Sequence, residues 1–124
     1  AESLRVWAVM DARMNEIYAA EYEFGATGWQ VRSAPMLTTP AALNGLWRES
    51  EPQVVAGSAV AAFGARLESA GAHRLPDAAP RALGMLALGR ALLAAGGAVD
   101  AALALPLYLR DKVALTSAER EDRA

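Results

Sequence analysis

Asp11 and Glu16 are the first residues whose types and spacing suggest chemistry. They stand at the two ends of a short link between extended segments, close enough to approach each other. Paired carboxylates do acid–base work where burial or mutual repulsion raises one pKa. At a hairpin end the plainer expectation is that both are solvated or accept hydrogen bonds from the turn backbone. His73 is the only histidine. A lone imidazole builds no zinc site without several carboxylates, and the polar stretch before Leu75-Pro76 reads as a solvated turn. Gly57-Ser58 ends a short apolar strand and precedes a helical run, a place where backbone N–H groups and the helix dipole can hold an anion. Neither G-x-x-x-x-G-K nor G-x-G-x-x-G is present, so a tight turn and a helix cap account for both residues. None of Ser3, Ser33, Ser50, Ser58, Ser69 or Ser117 has a G-x-S-x-G setting. With one distant histidine, a serine triad does not assemble. The chain has no cysteine, which removes disulfides, thiolate metal sites and a cysteine nucleophile together. Taken alone, the residues supply no catalytic, cofactor-binding or metal constellation, and the expectation is a protein that is not an enzyme and carries no cofactor.

The elements that position these residues follow from periodicity. Leu4 to Asp11, Glu16 to Phe24 and Trp29 to Met36 read as extended runs. They are joined by Ala12-Arg13-Met14-Asn15 and Gly25-Ala26-Thr27-Gly28, links short enough to force an antiparallel meander. The period then becomes helical. Thr39-Pro40 is a cap and first-turn pair, followed by Leu43, Leu46 and Trp47. Gln53 to Ala56 reads as a buried strand. A second helix carries Val60, Phe63 and Leu67 on one face, with Gly71 placed to stop it. A third starts at Asp77 and Pro80 and runs through Leu83, Leu86 and Leu93 to Gly96-Gly97. It is apolar around most of its circumference except at Arg81 and Arg90, which predicts burial beneath other structure. The segment from Ala101 to Leu115 contains Pro106 and reads as extended. The predicted order, β-β-β-α-β-α-α and a tail, is an α/β lobe: a mixed sheet of a three-strand antiparallel meander plus a strand between helices. Residues 1–116 form this single lobe, and 117–124 form a charged, frayed tail.

With 124 residues the chain suits one domain. Its formal net charge of -2 offers no electrostatic footprint for strong nucleic-acid binding. The Ala/Leu-rich stretch at 82–105 is interrupted by Gly96-Gly97, Arg90 and Asp100. It falls short of the ~18 uninterrupted apolar residues of a membrane span. The start, Ala1-Glu2-Ser3, leads straight into an alternating apolar segment with no secretory pattern, so the expected location is cytoplasmic.

Two stretches carry a family resemblance. Met10-Asp11-Ala12-Arg13-Met14-Asn15-Glu16-Ile17-Tyr18 resembles the D-A-R-x-x-E-[VI]-Y hairpin of the bacterial TsaB (YeaZ) family. Pro106-Leu107-Tyr108-Leu109-Arg110-Asp111-Lys112-Val113-Ala114 resembles that family's P-x-Y-L-R-x-x-V-A tail. Together they mark Asp11, Ala12, Arg13, Glu16, Tyr18, Pro106, Tyr108, Leu109 and Arg110 as signature residues, with Arg13 and Glu16 able to pair across the turn. The resemblance spans nearly the whole chain. It implies the second lobe of the actin-like, RNase H-like ATPase (ASKHA) architecture, with core βββαβα. It also implies a first lobe, opening on a D-T-S strand, that lies outside these residues. By function it implies a non-catalytic scaffold in tRNA threonylcarbamoyladenosine modification, working with the catalytic paralogue TsaD and the ATPase TsaE. TsaD-type relatives carry D-D-A-x-G-E-A-F and G-G-V-x-A-N where this chain has Asp11-Ala12-Arg13 and Gly57-Ser58-Ala59-Val60-Ala61-Ala62. The second glycine and the asparagine are absent, which speaks against a working nucleotide site. The pairing surface for TsaD belongs largely to the first lobe, so this lobe is expected to expose apolar surface and to be able to form a homodimer. Two readings compete with the scaffold: a vestigial nucleotide-binding module, and a protease-like hydrolase suggested by the wider family's glycoprotease-like label.

Overall fold

The computed structural model describes residues 2–110 and Ala118. Five strands form one mixed sheet in the order β3-β2-β1-β4-β5. The meander comprises β1 (Leu4–Asp11), β2 (Ile17–Gly25) and β3 (Gly28–Thr38). β1 pairs antiparallel with β2, placing Val9 opposite Ala19 and Trp7 opposite Glu21. β4 (Val54–Ala56) lies parallel to β1 on its other side. The expected mixed α/β sheet is therefore present, with helices α1 (Pro40–Glu49), α2 (Ala59–Phe63) and α3 (Ala82–Ala94).

Strand alternation decides where the core sits. Trp7, Val9, Ile17 and Ala19 share one sheet face and are buried against Leu43 and Trp47 of α1 and Ala59 and Phe63 of α2. Ile17, Leu43, Val9 and Val55 are fully buried, each contributing roughly 1.5–3 kcal/mol of transfer free energy. Trp7 and Trp47 meet edge to face, with ring centroids 6.1 Å apart. The α1 start is as its sequence dictates: Thr39 Oγ1 accepts from the Ala42 N–H at 3.2 Å, and Pro40 occupies the first turn. Asn44, buried on α1, donates to the Arg66 carbonyl and accepts from the Glu68 N–H, both at 2.8 Å. These bonds fix the loop after α2 to the helix.

Several expectations need correction. β3 does not end at Met36 but runs through Pro35 to Thr38. As an edge strand it tolerates a residue without an N–H, and its register against β2 shifts on either side of Glu21. The second helix stops at Phe63 rather than running to Gly71. Gly64 takes a positive φ of 51°, a tight 3-10 turn follows, and Leu67 is already extended. Leu67 still reaches the core, which explains its helix-like spacing. His73 lies in no turn but on a fifth strand, β5 (His73–Leu75), parallel to β4. Three residues, all exposed, give no periodic signal for such an edge strand. The third helix begins at Ala82, after Pro80, and none of its residues is buried. Its Leu83 remains 80% exposed, so the predicted cover is not supplied by the described residues. In the following segment Ala101–Leu103 forms a 3-10 turn and 104–110 is irregular. The expected frayed tail at 117–124, and the motif residues Asp111, Lys112, Val113 and Ala114, lie outside the described residues apart from Ala118. Among the described residues no helix is long and apolar enough to cross a membrane.

Candidate functional site at the first hairpin

The link between β1 and β2 is closed by two backbone bonds, Ala12 N–H to Glu16 O and Glu16 N–H to Arg13 O, each 3.0 Å. To fit, Arg13, Met14 and Asn15 all adopt left-handed backbone, with φ of 66°, 55° and 62°. Asparagine tolerates that region; for arginine and methionine it costs roughly 1–2 kcal/mol per residue. Side chains from three other places hold the turn in shape. Asp11 Oδ1 accepts from the Arg13 N–H at 3.0 Å. Arg66, whose guanidinium also lies 5.1 Å from the Phe63 ring centroid, donates to Asn15 Oδ1. The third clamp is Arg110. Its Nη1 donates to Glu16 Oε1 at 2.6 Å and to Met14 Sδ at 3.3 Å, and its Nη2 donates to the Ala12 carbonyl at 3.2 Å.

The two signature stretches therefore converge. Glu16 does not pair with Arg13, as its position across the turn suggested; its partner is Arg110. The Arg110 side chain is 11% exposed and that of Glu16 27%, so the pair is better shielded than an ordinary surface bridge. Hydrogen bonding to Glu16, then to Tyr18, raises the arginine's pKa above its ordinary value. The guanidinium stays charged.

Asp11 and Glu16 are not assembled into a carboxylate pair. The Asp11 carboxylate serves the turn backbone, and its own N–H donates to Ser58 Oγ at 3.0 Å. Ser58 thereby ties the β4–α2 junction to the end of β1 and makes no cap bond to α2. Beside it, Gly57 is at φ 131°, where a Cβ would sit 2.1 Å from the Val9 carbonyl oxygen. The glycine at this strand end serves a close backbone approach. Among the described residues no three His, Cys, Asp or Glu side chains are grouped as a metal would require. His73 is exposed on β5, away from the hairpin.

Between the outer sheet face and the 107–110 segment lies a cavity of about 790 Å³, lined by Met10, Arg13, Met14, Tyr18, Tyr22, Leu107, Tyr108, Leu109 and Arg110 among others. Leu107 and Tyr108 are 70% and 77% exposed, which leaves Arg110 as the anchor of this segment. Sequence reasoning missed Arg66 and Asn44. Neither has a periodic signature, and their roles rest on contacts more than twenty positions away.

No protein-family model and no curated relative matches the chain. Solved structures do. One is YeaZ from Pseudomonas aeruginosa, 25% identical, with a TM-score of 0.73 over 86% of this chain and 50% of that one. Another, an uncharacterized protein from Pseudomonas aeruginosa with similarity to peptidase YeaZ, is 27% identical, with a TM-score of 0.74 over 87% of this chain and 50% of that one. The chain spans about half the length of the solved structures it matches. Two signature stretches joined at one ion pair, on a lobe of the actin-like, RNase H-like fold, make this chain similar to about half the length of the YeaZ (TsaB) structures on which it superposes.

Proposed function

We propose that the protein is a non-catalytic scaffold subunit in tRNA threonylcarbamoyladenosine modification, acting in the cytoplasm and supporting a TsaD-type catalytic paralogue together with a TsaE-type ATPase. The observation that carries this reading is the Arg110–Glu16 clamp. The most distinctive charged residues of the chain are spent on holding a strained turn in place, with their lone pairs and protons directed at one another and at backbone. A scaffold needs a rigid presented surface; a catalyst needs groups left free to meet substrate. Residues 1–116 act as one lobe in this reading, with nucleotide and tRNA handled by the partners.

The reading is tested by reconstituting modification from TsaD, TsaE and tRNA, with and without a two-lobed TsaB whose second lobe is this chain. A scaffold raises product formation only in the presence of TsaD and forms none alone. Product formed without TsaD, or no change on adding the protein, would remove the scaffold reading.

A further inference from the structure

Met14 stands at the tip of the first hairpin, 64% exposed on the rim of the outer-face cavity. Its Sδ accepts from Arg110 Nη1 at 3.3 Å, on the same guanidinium that bonds Glu16 Oε1 and the Ala12 carbonyl. A thioether sulfur carries two lone pairs, so this contact makes the two faces of the sulfur inequivalent. One face is closed by a guanidinium whose side chain is only 11% exposed; the other is open to water. Met85 on α3 provides a contrast within the same chain. It too is 64% exposed, but its sulfur meets no hydrogen-bond donor among the described residues, so both of its faces are alike.

We propose that Met14 is an oxidation site: peroxide converts it to one epimer of methionine sulfoxide and thereby unlatches the 107–110 segment. The free sulfur lone pair attacks one oxygen of hydrogen peroxide and the O–O bond breaks. The second oxygen leaves as water with both protons. Sulfur is oxidised by two electrons and the peroxide is reduced by two. Attack from the open face leaves the new oxygen in solvent. The sulfur facing Arg110 then bears a partial positive charge, so a weak acceptor becomes the positive end of a dipole set against a guanidinium. One of the contacts that hold Arg110 is thus turned repulsive. Leu107 and Tyr108 are 70% and 77% exposed, so the segment has little else to keep it in place.

The test is brief treatment of the folded 124-residue chain with hydrogen peroxide, followed by two measurements. The first is the epimer formed at each methionine, read by mass spectrometry of peptides cut from the oxidised protein. Each of the two methionine sulfoxide reductases repairs one epimer only. The Met14 sulfoxide is expected to be removed almost wholly by one reductase, and the Met85 sulfoxide in comparable parts by each. Arg110→Ala, which opens the closed face, should make Met14 behave as Met85 does. The second measurement is limited proteolysis within 107–110, which oxidation should speed at least about threefold. Met10, 42% exposed, lines the same cavity, so Met14→Leu separates the two: its cleavage rate should not respond to peroxide. Unchanged circular dichroism shows that both variants fold. An even mixture of epimers at Met14 overturns the proposal. So does a cleavage rate that oxidation leaves unchanged or lowers, or one that peroxide still raises in Met14→Leu as much as in wild type.

Discussion

Arg110 and Glu16, 94 positions apart, form a 2.6 Å ion pair that joins the last described residue of the irregular C-terminal segment to the first hairpin. The same guanidinium bonds the Ala12 carbonyl and Met14, so one side chain both anchors the segment and supports a turn built from three left-handed residues. Removing it should release the segment while the sheet, whose core lies on the opposite face, stays folded. Arg110→Ala should speed limited proteolysis within 107–110 by an order of magnitude or more, with β1 and β2 unaffected. Glu16→Gln should give a smaller change, since the amide oxygen still accepts from Arg110. An unchanged cleavage rate in Arg110→Ala would show that the segment is held elsewhere.

The turn itself predicts a side-chain hierarchy. At Met14, φ 55° penalises a β-branched residue most. Met14→Val should destabilise by about 1–2 kcal/mol in urea unfolding, whereas Met14→Gly should fall within about 0.5 kcal/mol of wild type, relief of strain offsetting added freedom of the unfolded chain.

Gly57 faces a harder limit. A methyl group 2.1 Å from the Val9 carbonyl oxygen, at a φ that L-residues rarely adopt, leaves β1 and β4 no way to keep their register. Gly57→Ala should cost about 3 kcal/mol, read as a fall in the urea midpoint at constant m-value. A midpoint within error of wild type would show that the junction can yield.

Asn44 predicts a similar loss from a different cause. Asn44→Ala orphans the Arg66 carbonyl and the Glu68 N–H together, at roughly 1–3 kcal/mol. Asn44→Asp keeps the acceptor for Glu68 but sets a carboxylate against the Arg66 carbonyl, so it should rescue little. Full rescue by aspartate would mean that the bond to Glu68 alone matters.

The competing nucleotide reading has its own check. Ser58 Oγ already accepts from the Asp11 N–H, and α2 is a helix of five residues, too short for a developed dipole. Calorimetry with ATP or ADP should give no heat of binding; a saturable signal lost in Ser58→Ala would revive that reading.

Much of the fold was legible because the meander and α1 announce themselves locally. Alternation across Trp7, Val9, Ile17 and Ala19 marks a half-buried sheet, and Thr39-Pro40 is a cap whose physics needs no tertiary help. β5 was not legible, since three exposed residues on an edge are held by pairing with β4 alone. α2 was read too long because Leu67 has helical spacing but reaches the core from extended backbone after Gly64. At the site, the two signature stretches could be recognised as sequence. That Glu16 takes Arg110 rather than the nearby Arg13 could not, because its partner lies 94 positions away and only folding delivers it. The burial expected of α3 followed from composition alone, which says that a cover is wanted and not where it comes from.

The most direct test of the scaffold account is capture of TsaD from bacterial lysate by immobilised protein, comparing this chain with a two-lobed TsaB that contains it. The account predicts that the two-lobed protein retains TsaD, with this chain alone capturing little. Failure of both to retain TsaD would contradict it.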